Sequence, residues 1–175
     1  ILAGGLGKRL RSQTGDSPKV LAEINVIPFL DILLNNLSRQ GFRRVILCTG
    51  YKSETVEQHY QSKAGDLTIE FSKEESPLGT GGAIKYARNK VRSPIFFALN
   101  GDCFCSVAFE DFLKFFKEKQ ALASMVLTKT DDKKDFGSVV IDSESKIISL
   151  EKINILTSFS ISFGDGVNAT LQTLI

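Results

Sequence analysis

Apolar positions along this chain recur with two periods, near 3.6 and near 2, and the segments that carry them alternate. Residues 28–41, PFLDILLNNLSRQG, set Phe29, Ile32, Leu33 and Leu37 at helical spacing. Pro28 suits the start of that helix and Gly41 its stop. Residues 43–50, RRVILCTG, form a short apolar run closed by Gly50, which predicts a buried strand. SETVEQHY predicts a second helix with Ser53 as its cap. In LTIEFS, Leu67, Ile69 and Phe71 alternate with polar residues, the pattern of a half-buried strand. GGAIKYARNKV reads as a helix after a glycine-rich entry, and SPIFFALNGD as a buried strand ending in Asn-Gly-Asp. FEDFLKFFKEKQ stacks Phe109, Phe112, Leu113 and Phe116 on one helical face, which predicts core packing rather than a cofactor box. ASMVLTK predicts a further strand, and FGSVVID and KIISLEK a strand pair around the turn residues 142–144. ILAGG, at the start, reads as the end of a buried strand entering a turn.

Strands and helices of these lengths in alternation predict βαβ units. The fold expected is α/β, a mostly parallel Rossmann-like sheet with helices on both faces. Such sheets bind ligands beyond the carboxyl ends of their strands. Three glycine-rich turns fall at such ends or beside them: Gly4, Gly5 and Gly7; Gly79, Gly81 and Gly82; and Asn100-Gly101-Asp102. Their coincidence predicts a nucleotide-sized site at one sheet edge. Neither a repeat, a low-complexity tract nor a linker interrupts the pattern, so residues 1–175 are expected to form a single domain.

Composition narrows the partners. The chain carries 22 basic and 20 acidic residues, a balance of +2. That balance points to neither nucleic acid nor a membrane surface, so any basic function is local. Three sparse cysteines, Cys48, Cys103 and Cys105, argue against a disulfide framework and for a reducing cytosol. Cys103-x-Cys105 lacks zinc-site spacing, and the lone histidine, His59, reads as an exposed helix position. No run of 18 apolar residues and no signal peptide is seen, which predicts a cytoplasmic protein. The chain opens on Ile1 rather than Met, so at least one natural residue is expected to precede this numbering.

The local basic function has an obvious place. Lys8, Arg9, Arg11 and Lys19 follow the first glycine turn closely. A Walker A loop fails here, because its first glycine would fall on Leu2 and Lys8 is followed by Arg9. The dinucleotide fingerprint fails too, because its third glycine would fall on Leu10. What remains is a turn whose backbone N–H groups can approach phosphates, with cations beside it.

LAGGLGKRL, SPKVLAEI, PFLDILLNNLSRQGFRRVILCTGY, SPLGTGGAI and FALNGD, in that order over residues 1 to 152, resemble the sugar-1-phosphate nucleotidyltransferases. Among these the resemblance is greatest to the guanylyltransferases that activate D-glycero-D-manno-heptose 1-phosphate, with the mannose-1-phosphate guanylyltransferases close behind. The resemblance implies a nucleotidyltransferase architecture of the GT-A-like kind. It implies that a sugar 1-phosphate attacks the α-phosphorus of a nucleoside triphosphate, GTP by this reading, and that pyrophosphate leaves. The product would be an NDP-sugar for surface polysaccharide synthesis. By the same resemblance Arg9 and Lys19 are the catalytic cations. Leu2, Ala3, Gly4, Gly5, Gly7, Gly79, Gly81 and Gly82 bind the nucleotide. Asp102 is the carboxylate for Mg²⁺, and Gly137, Glu151, Lys152 and Asn168 lie on the sugar-phosphate side. The implied partners are a nucleoside triphosphate and a sugar 1-phosphate, with homo-oligomerisation left open.

The sequence departs from the family in places. Lys8 stands where the family has Thr, and Val20 follows Lys19 where the family has Pro. VNATLQTLI keeps Asn168 and Ala169 of an Asn-Ala-Gly-Ile-Tyr strand but not its Gly and Tyr. Residues 153–166 carry no pattern, and the family's second metal aspartate has no counterpart, so the domain is expected to be incomplete or atypical at its C-terminal part. Three alternatives stay open at this point. One is a mannose- or other hexose-1-phosphate nucleotidyltransferase. Another is a non-catalytic nucleotide-binding regulatory module of the same fold. The third is a glycosyltransferase of related fold, although Asp102-Cys103-Phe104 is not its Asp-x-Asp motif.

Overall fold

The computed structural model describes residues 1–5, 17–61, 66–127, 138–151, 159–162 and 171–174, with 138, 150–151, 159–162 and 171–174 described by their backbone. The chain divides into two compact units, one of residues 1–92 and 100–104, the other of residues 93–99 and 105–175.

The first unit is built on parallel pairing. Strands β3 (Arg44–Thr49) and β4 (Thr68–Lys73) run parallel in register, Leu47 opposite Phe71. Leu2 forms parallel bridges to Cys48 on one side and Asn100 on the other. The order across the edge is therefore Asn100, Leu2, β3, β4, with every chain direction the same. The sequence reading of residues 1–5 as a strand end entering a turn matches this placement. A short hairpin, β1 (Glu23–Ile24) and β2 (Ile27–Pro28), leads into helix α1 (Phe29–Arg39). Its buried face is Leu30, Leu33, Leu34 and Leu37, an i, i+3, i+4, i+7 stripe. Leu33 and Leu37 are buried as expected, while Phe29 and Ile32 are half-buried and Leu30 and Leu34 take the inner places. Two overlapping apolar stripes exist in this sequence, and the all-leucine one faces inward.

Helix α2 (Ser53–Gln61) begins at Ser53 itself, whose N–H donates to Gly50 O at 3.1 Å. Ser53 is therefore inside the first turn and not the cap beyond it. His59 is half-buried rather than exposed: it lies edge-on to Tyr60, and its Nε2 is 3.9 Å from Asp31 Oδ1. Helix α3 (Gly79–Tyr86) takes all three glycines of its entry into its own first turn. Cys48, Ala83 and Ala87 form a small core with Leu2 and Ile46 packed against it. Small side chains there let the helix lie close to the sheet.

The second unit holds a four-stranded sheet in the order β10-β6-β9-β5. Its strands are β5 (Ile95–Ala98), β6 (Ala123–Val126), β9 (Phe159–Ser162) and β10 (Leu171–Leu174), and helix α4 (Phe109–Glu118) belongs to the same unit. β10 is parallel to β6, whereas β9 runs antiparallel to both of its neighbours. β9 falls in the stretch without a sequence pattern, and β10 in the atypical end. Helix α4 buries Phe109, Phe112 and Phe116, as its spacing predicts, and Phe97 meets Phe109 edge-on at 5.2 Å. β7 (Ser138–Ile141) and β8 (Ile147–Glu151) form the expected antiparallel pair, with Asp142 Oδ1 accepting from the Glu144 and Lys146 N–H groups in the turn. Among the described residues no helix is long and apolar enough to cross a membrane.

Candidate active site

Parallel pairing brings four chain ends to one edge of the first unit. The segments of Leu2, β3, β4 and Asn100 end in Gly4, Gly50, Glu74 and Gly101-Asp102 respectively. Two of the three glycine-rich turns therefore share that edge. The third is tied to it by Glu74, whose Oε2 accepts the Leu78 N–H at 3.0 Å, one residue before Gly79.

Lys19 and Asp102 meet because their neighbours pack. Lys19 opens a 3₁₀ turn, Lys19–Leu21, entered through Pro18 in an extended conformation (φ −55°, ψ 136°). Val20 in that turn is buried and lies against Gly101. A Cβ on Gly101 would stand 2.9 Å from Leu2 O and 3.0 Å from Val20 Cγ1, so only glycine allows this approach. Gly101 N–H donates to Leu2 O at 2.8 Å, which fixes the strand end from which Asp102 projects. The outcome is an ion pair between Lys19 Nζ and Asp102 Oδ2, with side chains 33% and 26% exposed. Cys103 Sγ donates to Asp102 Oδ1 at 3.5 Å. Burial, the Asp102 charge and this hydrogen bond push the Cys103 thiol up from its ordinary range. Cys103 therefore stays a neutral donor beside the carboxylate.

The glycines divide into two kinds. Gly5 and Gly81 are exposed, and a Cβ on either would meet nothing within 4 Å. Gly4, Gly82 and Gly101 instead have protein atoms where a Cβ would stand: the Glu74 carboxylate, Leu78 Cβ, and Leu2 O with Val20. Gly79 has φ +69°, a conformation that favours glycine. The structure thus brings together Leu2, Ala3, Gly4, Gly5, Lys19 and Asp102 around one strand edge, with Gly79, Gly81 and Gly82 linked through Glu74.

Gly7, Arg9, Gly137, Lys152 and Asn168 lie outside the described residues. Glu151 ends β8, its backbone in register with Ser138, and belongs to the second unit. Two site residues were not anticipated, Gly50 and Glu74. The signal for them was present: Gly50 closes one predicted strand, Glu74 stands two residues past the end of the next, and Glu74 precedes Leu78 at the glycine-rich entry by four residues.

Glycine turns and charged side chains beyond the carboxyl ends of parallel strands are the place where open α/β sheets hold ligands. The chain belongs to the nucleotidyl transferase family, whose sequence profile matches residues 1–152. It is 37% identical over 152 residues to a D-glycero-α-D-manno-heptose 1-phosphate guanylyltransferase of Campylobacter jejuni, covering 87% of this chain and 66% of that relative. It is 35% identical over 154 residues to the mannose-1-phosphate guanylyltransferase of Mycobacterium tuberculosis, covering 87% of this chain and 43% of that relative. The chain thus spans about two thirds or less of the length of these relatives. Its structure superposes on that of HddC from Yersinia pseudotuberculosis, crystallised with GMP-PN, at a TM-score of 0.83 and 27% identity, over 99% of this chain and 88% of that one.

Proposed function

We propose that this protein transfers the guanylyl group of GTP to a sugar 1-phosphate, with D-glycero-D-manno-heptose 1-phosphate as the first choice. A phosphate oxygen of the sugar attacks the α-phosphorus, the bond to the β-phosphate's bridging oxygen breaks, and pyrophosphate leaves with that electron pair. Positioning and charge neutralisation do most of the work in such a transfer. The observation that carries the reading is the Lys19–Asp102 pair at the same strand edge as the open glycine Gly5. Backbone N–H groups at Gly5 and Gly81 can approach a ligand without a Cβ in the way. Lys19 supplies a point charge to the phosphates, and Arg9 a forked donor. Gly7 is assigned to the nucleotide side, and Gly137, Glu151, Lys152 and Asn168 to the sugar side.

A divalent metal suits the carboxylate. Asp102 is half-buried and offers hard oxygen donors, and no cluster of three or more His, Cys, Asp or Glu side chains stands among the described residues. One carboxylate fits Mg²⁺, which takes phosphate oxygens for other ligands. When bound it neutralises phosphate charge. Cytoplasmic location and a single catalytic domain complete the reading. Mannose 1-phosphate is the second choice, favoured by the identity to the mycobacterial mannose-1-phosphate guanylyltransferase.

The test is pyrophosphate release by the intact protein with Mg²⁺, across four nucleoside triphosphates and both sugar phosphates. GTP with the heptose phosphate should be turned over fastest. Release with another nucleotide alone, or none with any sugar phosphate, would remove the proposal.

A further inference from the structure

Both oxygens of Asp102 have partners within the chain. Oδ2 is ion-paired with the Lys19 ammonium, and Oδ1 accepts from Cys103 Sγ at 3.5 Å. The two contacts differ in kind. Cys103 is the next residue along the chain and a neutral, weak donor. Lys19 comes from 83 residues away and brings a full charge. Its backbone is held: Lys19 opens the 3₁₀ turn that buries Val20, and the Ala22 N–H donates back to Lys19 O at 3.1 Å. Its ammonium is not held in the same way. It ends a flexible four-carbon stem, so it can change partners while that turn stays in place. Both side chains are half-buried, which leaves the pair within reach of ligands from solvent.

We propose that Lys19 couples triphosphate to metal at this site: the ammonium and a divalent cation compete for Asp102, and a triphosphate that draws Lys19 onto its own oxygens frees the carboxylate for the cation. The inference rests on the functional reading above and adds to it a role for the ion pair. Two cations at one carboxylate oxygen repel, so each weakens the other's hold. While Lys19 is on Asp102, a divalent cation alone must break the pair to bind, and so must a metal-free triphosphate. Whichever binds first removes that cost for the other, and the gain is reciprocal. The pair thus favours the metal–nucleotide complex over either component alone.

The test reads binding without turnover, on the intact protein. Mn²⁺ is titrated by electron paramagnetic resonance with no nucleotide present. Lys19→Met keeps a stem of similar length and removes the charge. It should bind Mn²⁺ about fivefold more tightly than the parent, the upper range for a partly exposed ion pair. The gain should vanish when Asp102→Asn is added, which assigns the ion to this carboxylate. Lys85→Met removes an exposed cation from α3 and controls for net charge, so its Mn²⁺ affinity should equal the parent's. In the reciprocal arm, GTP is titrated by calorimetry in EDTA. Asp102→Asn releases Lys19 and should bind metal-free GTP about fivefold more tightly than the parent. Mn²⁺ affinity in Lys19→Met no greater than the parent's, a gain matched by Lys85→Met, or metal-free GTP binding unchanged in Asp102→Asn would overturn the coupling. A parent that binds no nucleoside triphosphate, with or without metal, would instead overturn the functional reading, and the Mn²⁺ comparison would still report on the competition.

Discussion

Lys19 Nζ is ion-paired with Asp102 Oδ2, although 83 residues separate the two in sequence. Their meeting is secured by apolar neighbours, Val20 packed on Gly101, rather than by the charges themselves. Exposed or half-exposed ion pairs contribute little to stability, so a pair held this way is better explained by what its members do. Asp102→Asn keeps the shape and removes the charge. Its melting temperature should stay near the parent's, while turnover falls at least a hundredfold. The strengthening of GTP binding by Mg²⁺ should disappear. Calorimetry with and without Mg²⁺ checks this, and a Mg²⁺ effect equal to the parent's would take Asp102 out of the site.

Gly5 and Gly101 should respond to the same substitution in opposite ways. Gly101→Ala forces a methyl against Leu2 O and Val20, and overpacking of this kind costs about 1–3 kcal/mol of stability. Gly5→Ala enters open space, so stability should hold while GTP binding weakens. Thermal unfolding and GTP titration of the two variants give the comparison. A Gly5→Ala protein that binds GTP like the parent would show that this turn does not touch the nucleotide.

Val26 occupies the second turn position of the β1–β2 hairpin with φ +63°, after Asn25 at φ +50°. A two-residue turn with both φ values positive suits Asn-Gly, and a β-branched residue there is strained by about 1–2 kcal/mol. The side chain is 85% exposed and so little packing offsets the strain. Val26→Gly should stabilise the protein by about 0.5–1 kcal/mol after glycine's own entropy cost, a rise of about 2–3 °C in melting temperature. A lower melting temperature would mean that the valine makes contacts beyond this chain.

Glu70 gives a pH dependence of known sign. Its carboxyl is held below the ordinary glutamate range chiefly by the hydrogen bond from Arg44 Nε at 2.6 Å. A depressed folded value means the stabilisation is present above the unfolded glutamate pKa and is lost as pH falls through the folded one. Glu70→Gln should therefore melt lower than the parent at neutral pH, and the gap should close in acid. A gap that widens in acid would contradict the ion pair.

Much of the fold was legible because its strands and helices carry clean periods. Helix α4 announced its buried Phe109, Phe112 and Phe116 directly. Helix α1 was half legible: Leu33 and Leu37 are buried as expected, but Phe29 and Ile32 offer a second apolar stripe beside Leu30 and Leu34, which are the ones buried. Strand β9 was hidden: four residues are too few to establish a period, and it pairs with strands distant in sequence. At the site, Lys19 and Asp102 were named from motifs, but their contact depends on Val20 meeting Gly101, a tertiary packing event that no local pattern encodes. The surroundings of Gly4 were illegible for the same kind of cause. A glycine beside a turn signals close approach, and the sequence does not say whether the approaching group is a ligand or, as here, Glu74.

The central claim is guanylyl transfer, and following the α-phosphate tests it most directly. The intact protein is incubated with Mg²⁺, D-glycero-D-manno-heptose 1-phosphate and GTP labelled at the α-phosphorus, and the products are separated by chromatography. The account predicts that the label moves into a GDP-sugar in step with pyrophosphate release. Label that stays in GTP, or leaves it only as free GMP or GDP whichever sugar phosphate is present, would contradict it.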